Sequence, residues 1–119
     1  MGLFRVTGRP TGPMGRSARV ALLADTGATL LVVPRSLADR LELVARRSQP
    51  VRIAGGQRTA WPVAEVSLAL DGAAVTTPCF IAPDGPALLG AVAPESLFLA
   101  VDPVAKRLMP VEGFVDATS

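Results

Sequence analysis

The chain has 119 residues, half of them apolar, enough for one domain whose core needs neither disulfide nor metal. It contains no histidine and a single cysteine, Cys79, which excludes a Ser-His-Asp triad, a Cys-His pair, a zinc cluster and an internal disulfide. Twelve basic residues against ten acidic ones leave a net charge of +2 spread along the chain, which is no footprint for nucleic acid. Any catalysis then falls to carboxylates, hydroxyls, Arg, Lys106 or Cys79, and among these paired carboxylates do acid and base work unassisted.

In chain order, Leu3 to Thr7 alternates weakly and reads as a strand, and the Gly and Pro density of Gly8 to Pro13 predicts a turn closing a wide first hairpin. Met1 to Thr7 lacks the apolar core of a signal peptide, and Val6 stands where a myristoylation motif places Ser or Thr. Arg19 to Ala24 is a short strand whose two-residue period puts Val20, Leu22 and Ala24 on one face and Ala21, Leu23 and Asp25 on the other. Thr29 to Val33 is β-branched and Leu-rich, and Pro34 suits the first turn of a short helix over Arg35 to Leu43, with Leu37 and Leu41 on one side. Val20 to Pro34, the longest apolar stretch, is broken by Asp25, Thr26, Gly27 and Thr29 and is too short to span a bilayer. The expectation is a soluble chain in a reducing compartment, the cytoplasm, with no membrane partner.

Val51 to Ala54, Gly55-Gly56 and Gln57 to Val63 form a hairpin signal, because Gly-Gly supplies the positive φ angles of a tight turn. Pro62 places its second arm at an edge. Ala64 to Leu70 and Ala73 to Ile81 form another hairpin about the Asp71-Gly72 turn. After the loop Ala82 to Pro86, Ala87-Leu88-Leu89-Gly90 reads as a short buried strand and Val92 to Leu97 as a short helix. Leu99 to Val101 and Leu108 to Val111 make a last hairpin, and 112–119 reads as a loose tail. Trp61 and Cys79 read as buried or interface apolar residues, and Arg46, Arg47, Arg52 and Arg58 either as a solvated basic surface, the commoner case, or as a basic face that favours acidic partners.

Asp25-Thr26-Gly27 by itself is the composition of an ordinary Asx-type turn. In context, Ala24-Asp25-Thr26-Gly27-Ala28-Thr29 resembles the Asp-Thr-Gly-Ala signature of retroviral-type (retropepsin-like) aspartic proteases. The glycine-tipped hairpin Val51–Val63 and the strand Leu88-Leu89-Gly90 follow in that family's order. The piece from Leu88 to Pro110 is similar to the bacterial single-domain branch.

The resemblance implies an all-β fold, a half-barrel with a flap hairpin and one or two short helices, filling a single domain over 1–119 with its core at about 3–111. It implies a two-fold homodimer, since one Asp-Thr-Gly supplies only one of the two carboxylates the chemistry needs, so that Asp25 of each copy completes the dyad. Thr26, Gly27 and Ala28 would form the active-site loop. Leu23, Ile53, Ala54, Gly55, Gly56, Gln57, Ala87 and Leu88 would line pockets and flap for a peptide or protein substrate, with hydrophobic residues preferred beside the cut. No cofactor and no metal is implied. In viral members an acidic residue after Asp-Thr-Gly-Ala pairs across the dimer with an Arg after the later glycine. Here those positions are Thr29 and Ala91, which points also to a second reading, a catalytically silent dimerisation or peptide-binding module on the same fold.

Overall fold

A computed structural model describes residues 4–25, 27–113 and 115. Its strands are β1 (Arg5–Thr11), β2 (Val20–Ala24), β3 (Leu31–Pro34), β4 (Arg47–Arg52), β5 (Arg58–Leu70), β6 (Ala73–Ala82), β7 (Leu88–Leu89), β8 (Leu99–Asp102) and β9 (Arg107–Pro110). Helix α1 (Arg35–Arg40) follows β3 and α2 (Val92–Ser96) follows β7. Seven strands form one sheet in the order β1-β2-β7-β3-β6-β5-β4, with β1 also pairing β5, and β8 and β9 form a separate hairpin. The fold is all-β, as expected. Among the described residues no helix is long and apolar enough to cross a membrane.

Three strands run differently from the sequence expectation. β1 continues through Gly8, Arg9 and Pro10 to Thr11 instead of turning at Gly8. Its first half pairs β2 and its second half β5, and a strand that changes partners must bend. Gly8 sits at that bend with its Cα side against Leu22 and Leu70, where a Cβ would lie 2.9 Å from Leu22 Cδ1. β4 is displaced to Arg47–Arg52, and the two strands expected over Gln57–Leu70 are one strand of 13 residues, β5. The outer half of β5 pairs only β4 up to Pro62, and β6 joins from Val63 onward. Pro62 thus lies on an arm with one free edge, where its missing N–H leaves no ladder bond unmade.

Helix α1 stops at Arg40 instead of Leu43 because the chain turns left-handed at Glu42 (φ 55°). The Leu43 N–H then donates to Ala38 O (3.0 Å) and the Glu42 N–H to Asp39 O (3.1 Å), a Schellman closure without glycine. At the other end Pro34 has no side-chain acceptor, and Asp84, from the loop after β6, takes the Ser36 N–H at 2.9 Å. That hydrogen bond, first among the causes, holds the Asp84 carboxyl below its ordinary value.

The core lies between the inner half of β5 and strands β2, β3, β6 and β7. Leu22, Leu31, Val33, Ala64, Val66, Leu68, Leu70, Cys79, Ile81 and Leu89 are all buried there. The predicted alternation of β2 holds, with Leu22 and Ala24 buried and Ala21 exposed. Burial pushes the Cys79 thiol up to about 12, so it packs as a small neutral hydrophobe.

Candidate active site

Asp25 directly follows β2, and its position is decided by where β7 inserts. Leu88 and Leu89 lie parallel to Leu23 and Ala24, while Leu88 also pairs Val32 antiparallel. β7 thus separates β2 from β3, and the 25–30 loop must cross the end of β7 to join them. The crossing is tied by backbone bonds. The Asp25 N–H donates to Leu89 O (3.1 Å), the Ala91 N–H to Ala28 O (3.0 Å) and the Val92 N–H to Thr29 O (3.1 Å). Gly90 makes it sterically possible, since a Cβ there would lie 2.3 Å from Leu30 O and 2.9 Å from Ala28 O.

The half-buried Asp25 carboxylate is held by the Gly27 N–H, which donates to its Oδ1 at 2.9 Å. The Ala28 N–H closes the turn on Asp25 O at 3.1 Å. The sequence-predicted Thr26 lies outside the described residues. Among the described residues no group of three or more His, Cys, Asp or Glu side chains is placed to hold a metal.

Asp25 opens on two concavities. One, of about 690 Å3, runs from the loop to the underside of the β4–β5 ribbon. Its walls include Gly27, Ala28, Val32, Ile53, Ala54, Trp61, Phe80 and Leu88. The other, of about 550 Å3, is lined by Gly90, Pro94, Phe98, Val101, Val111 and neighbours on the far side of the loop. Phe98, Met109 and Val111 are large apolar residues exposed on this second flank.

The structure brings Gly27, Ala28, Ile53, Ala54 and Leu88 together with Asp25 around the larger groove. Gly55, Gly56 and Gln57 form the exposed tip of the ribbon, outside the groove lining, with Gly55 and Gly56 at φ 89° and 82°. The turn is closed by the Ile53 N–H to Gln57 O and the Gly56 N–H to Ile53 O, both 3.0 Å. Leu23 is half-buried beside Leu88 and does not reach the groove wall, and Ala87 is packed in the core.

Residues not assigned to the groove from sequence complete its wall. Trp61 stacks edge-on against Phe80 at 6.0 Å and 72°, and both line the groove. Arg47, Gln49 and Arg52 of β4 also line it. Alternation along β4 and β5 was the available signal for these, but it needs a pairing register to say which face looks inward.

A loop carboxylate behind a buried strand, beneath a glycine-tipped ribbon, is an arrangement of the retropepsin-like fold. The sequence profile of the aspartyl protease family matches residues 11–93, which take in the Asp25 loop, the ribbon and Leu88-Leu89-Gly90. The chain belongs to the aspartyl protease family. Among solved structures it is similar to EIAV protease complexed with the inhibitor HBY-793, with a TM-score of 0.63 and 19% identity over 78% of this chain and 86% of that one. It is also similar to the simian foamy virus (mac) protease, with a TM-score of 0.58 and 16% identity over 78% of this chain and 93% of that one. No curated protein matches the sequence closely enough to count as a relative.

Proposed function

We propose that the chain is an aspartic endopeptidase that works as a two-fold homodimer, with the two Asp25 carboxylates as its catalytic dyad. The observation that carries this reading is the fixed Asp25 at the end of a peptide-sized groove in a chain of the aspartyl protease family. Among the described residues lining that groove, Asp25 is the one carboxylate, and the chemistry requires two within hydrogen-bonding range. A second copy related by a two-fold axis supplies it. The apolar flank of Phe98, Met109 and Val111 beside the smaller concavity is suited to be covered by that copy.

Two carboxylates at such range share one proton, as is general for aspartic proteases. The charged Asp25 takes a proton from a water molecule as the water oxygen bonds to the scissile carbonyl carbon. The protonated Asp25 of the other copy gives its proton to the carbonyl oxygen. The tetrahedral diol collapses as the C–N bond breaks: the carboxyl that took the water proton passes it to the departing amine nitrogen, and the other carboxylate takes a proton from a diol hydroxyl as the C=O bond reforms. The β4–β5 ribbon acts as the flap over an extended peptide, with Gly55 and Gly56 at its tip. Ile53, Ala54, Leu88 and the Trp61–Phe80 pair favour hydrophobic side chains beside the cut.

Cleavage of a diverse peptide pool by wild type and Asp25→Ala, across about pH 4 to 7, tests the reading, with sedimentation to establish the dimer. Cuts between hydrophobic residues that vanish in the variant are the expected result. A dimeric wild type that binds peptides and cuts none would overturn catalysis and leave a peptide-binding module.

A further inference from the structure

The ribbon over the groove carries charge as well as apolar surface. The sheet register aligns Leu88 with Val32, Val32 with Phe80, Phe80 with Val63 and Val63 with Arg47. Cross-strand partners share a face, so Arg47 stands on the same face as the groove floor, in one row with residues that flank Asp25. Its Nη1 donates to Gln49 Oε1 at 2.7 Å, which orients the guanidinium and leaves most of its five N–H donors unused.

No ion pair involves Arg47 or Arg52 among the described residues; the two found are Arg16 with Glu42 and Arg35 with Asp39. The groove face therefore holds the Arg47 guanidinium, with Asp25 as the one carboxylate in the lining. Arg52, five residues along β4 and directly opposite Arg58, falls with Arg58 on the other face of the ribbon. A guanidinium facing a peptide groove, with its carboxylate partner missing, is built for a carboxylate brought by the peptide.

We propose that Arg47 is a specificity-determining residue that selects peptides bearing a Glu or Asp side chain near the scissile bond. Four strand spacings separate Leu88 from Arg47, on the order of 15–20 Å before the sheet's curvature and the arginine's own reach are taken off, so the acidic residue falls within about five residues of the cut. This inference rests on the groove being the peptide site and deepens the substrate class of that reading to acidic-flanked hydrophobic sequences.

The test uses fluorescein-labelled peptide pools with a central Leu-Phe pair and Glu, Gln or Lys at the flanking positions. Binding to the full-length Asp25→Asn protein is measured by anisotropy, and kcat/KM is measured with Asp25 intact. The Glu pool should bind about tenfold tighter than the Lys pool, and Arg47→Glu should reverse that order. Arg58→Glu, the same charge change outside the groove lining, should keep it. Equal binding of the Glu and Lys pools, no binding of either, or an order unchanged in Arg47→Glu overturns the proposal. Tighter Glu binding without cleavage by the intact protein supports the acidic preference and sinks the endopeptidase instead.

Discussion

Gly90→Ala tests whether the Asp25 loop is positioned by the close crossing over β7. An alanine Cβ would lie 2.3 Å from Leu30 O, 2.7 Å from Leu30 C and 2.9 Å from Ala28 O, all backbone atoms that no rotamer change can move. Ordinary carbon-to-oxygen contact lies near 3.3–3.6 Å, so the loop must retreat by about 1 Å. That retreat stretches the bonds from Ala91 to Ala28 and from Val92 to Thr29. Two weakened backbone bonds at about 1 kcal/mol each, together with overpacking, cost about 2–4 kcal/mol. Urea unfolding should show that loss, and the melting temperature should fall by roughly 8–15 °C. A carboxylate displaced by 1 Å should also lose about 100-fold in kcat for peptide cleavage. A Gly90→Ala protein as stable as wild type, with unchanged cleavage, would refute the account of how the loop is held.

Cys79 should resist thiol reagents in the native protein and label only as the whole domain unfolds, because its thiol is buried and pushed up to about 12. The unfolded thiol ionises at its ordinary value of 9.0 while the folded one stays protonated, so a stability contribution present below that pH is lost as pH rises through it. Asp84→Ala should lower the melting temperature at neutral pH by uncapping α1. Since the folded Asp84 carboxyl is held below its ordinary value, this difference from wild type should shrink as pH falls through and below the ordinary carboxylate range. Trp61→Ala should cost about 1–2 kcal/mol through loss of the edge-on pair with Phe80, and should raise KM for hydrophobic peptides several-fold, measured by denaturation and by cleavage kinetics.

Much of the architecture was legible in the chain because it depends on local terms. The β2 alternation, the Gly55-Gly56 and Asp71-Gly72 turns and the start of α1 follow from period, positive φ and proline geometry, and all are present. Where the reading missed, a distant partner decided. Gly8 to Thr11 looked like a turn by composition and became strand because β5 offered a second pairing edge. The helix expected to reach Leu43 closes at Arg40 on a non-glycine residue, Glu42, for which composition holds no signal.

The same division runs through the site. Asp25 and Gly27, their place after an apolar strand, and the later Leu-Leu-Gly strand were determined by the sequence itself, since a short motif in a fixed order needs no long-range geometry to be read. Which residues face Asp25 was decided only by tertiary structure. A one-residue slip of β4 against β5 would turn Arg47 away from the groove and bring Ser48 toward it, and that register is set by pairing across the sheet. Leu88 and Leu89 are neighbours in sequence, yet one is groove wall and the other core, because successive strand residues point to opposite faces of a sheet whose inner side the fold alone defines.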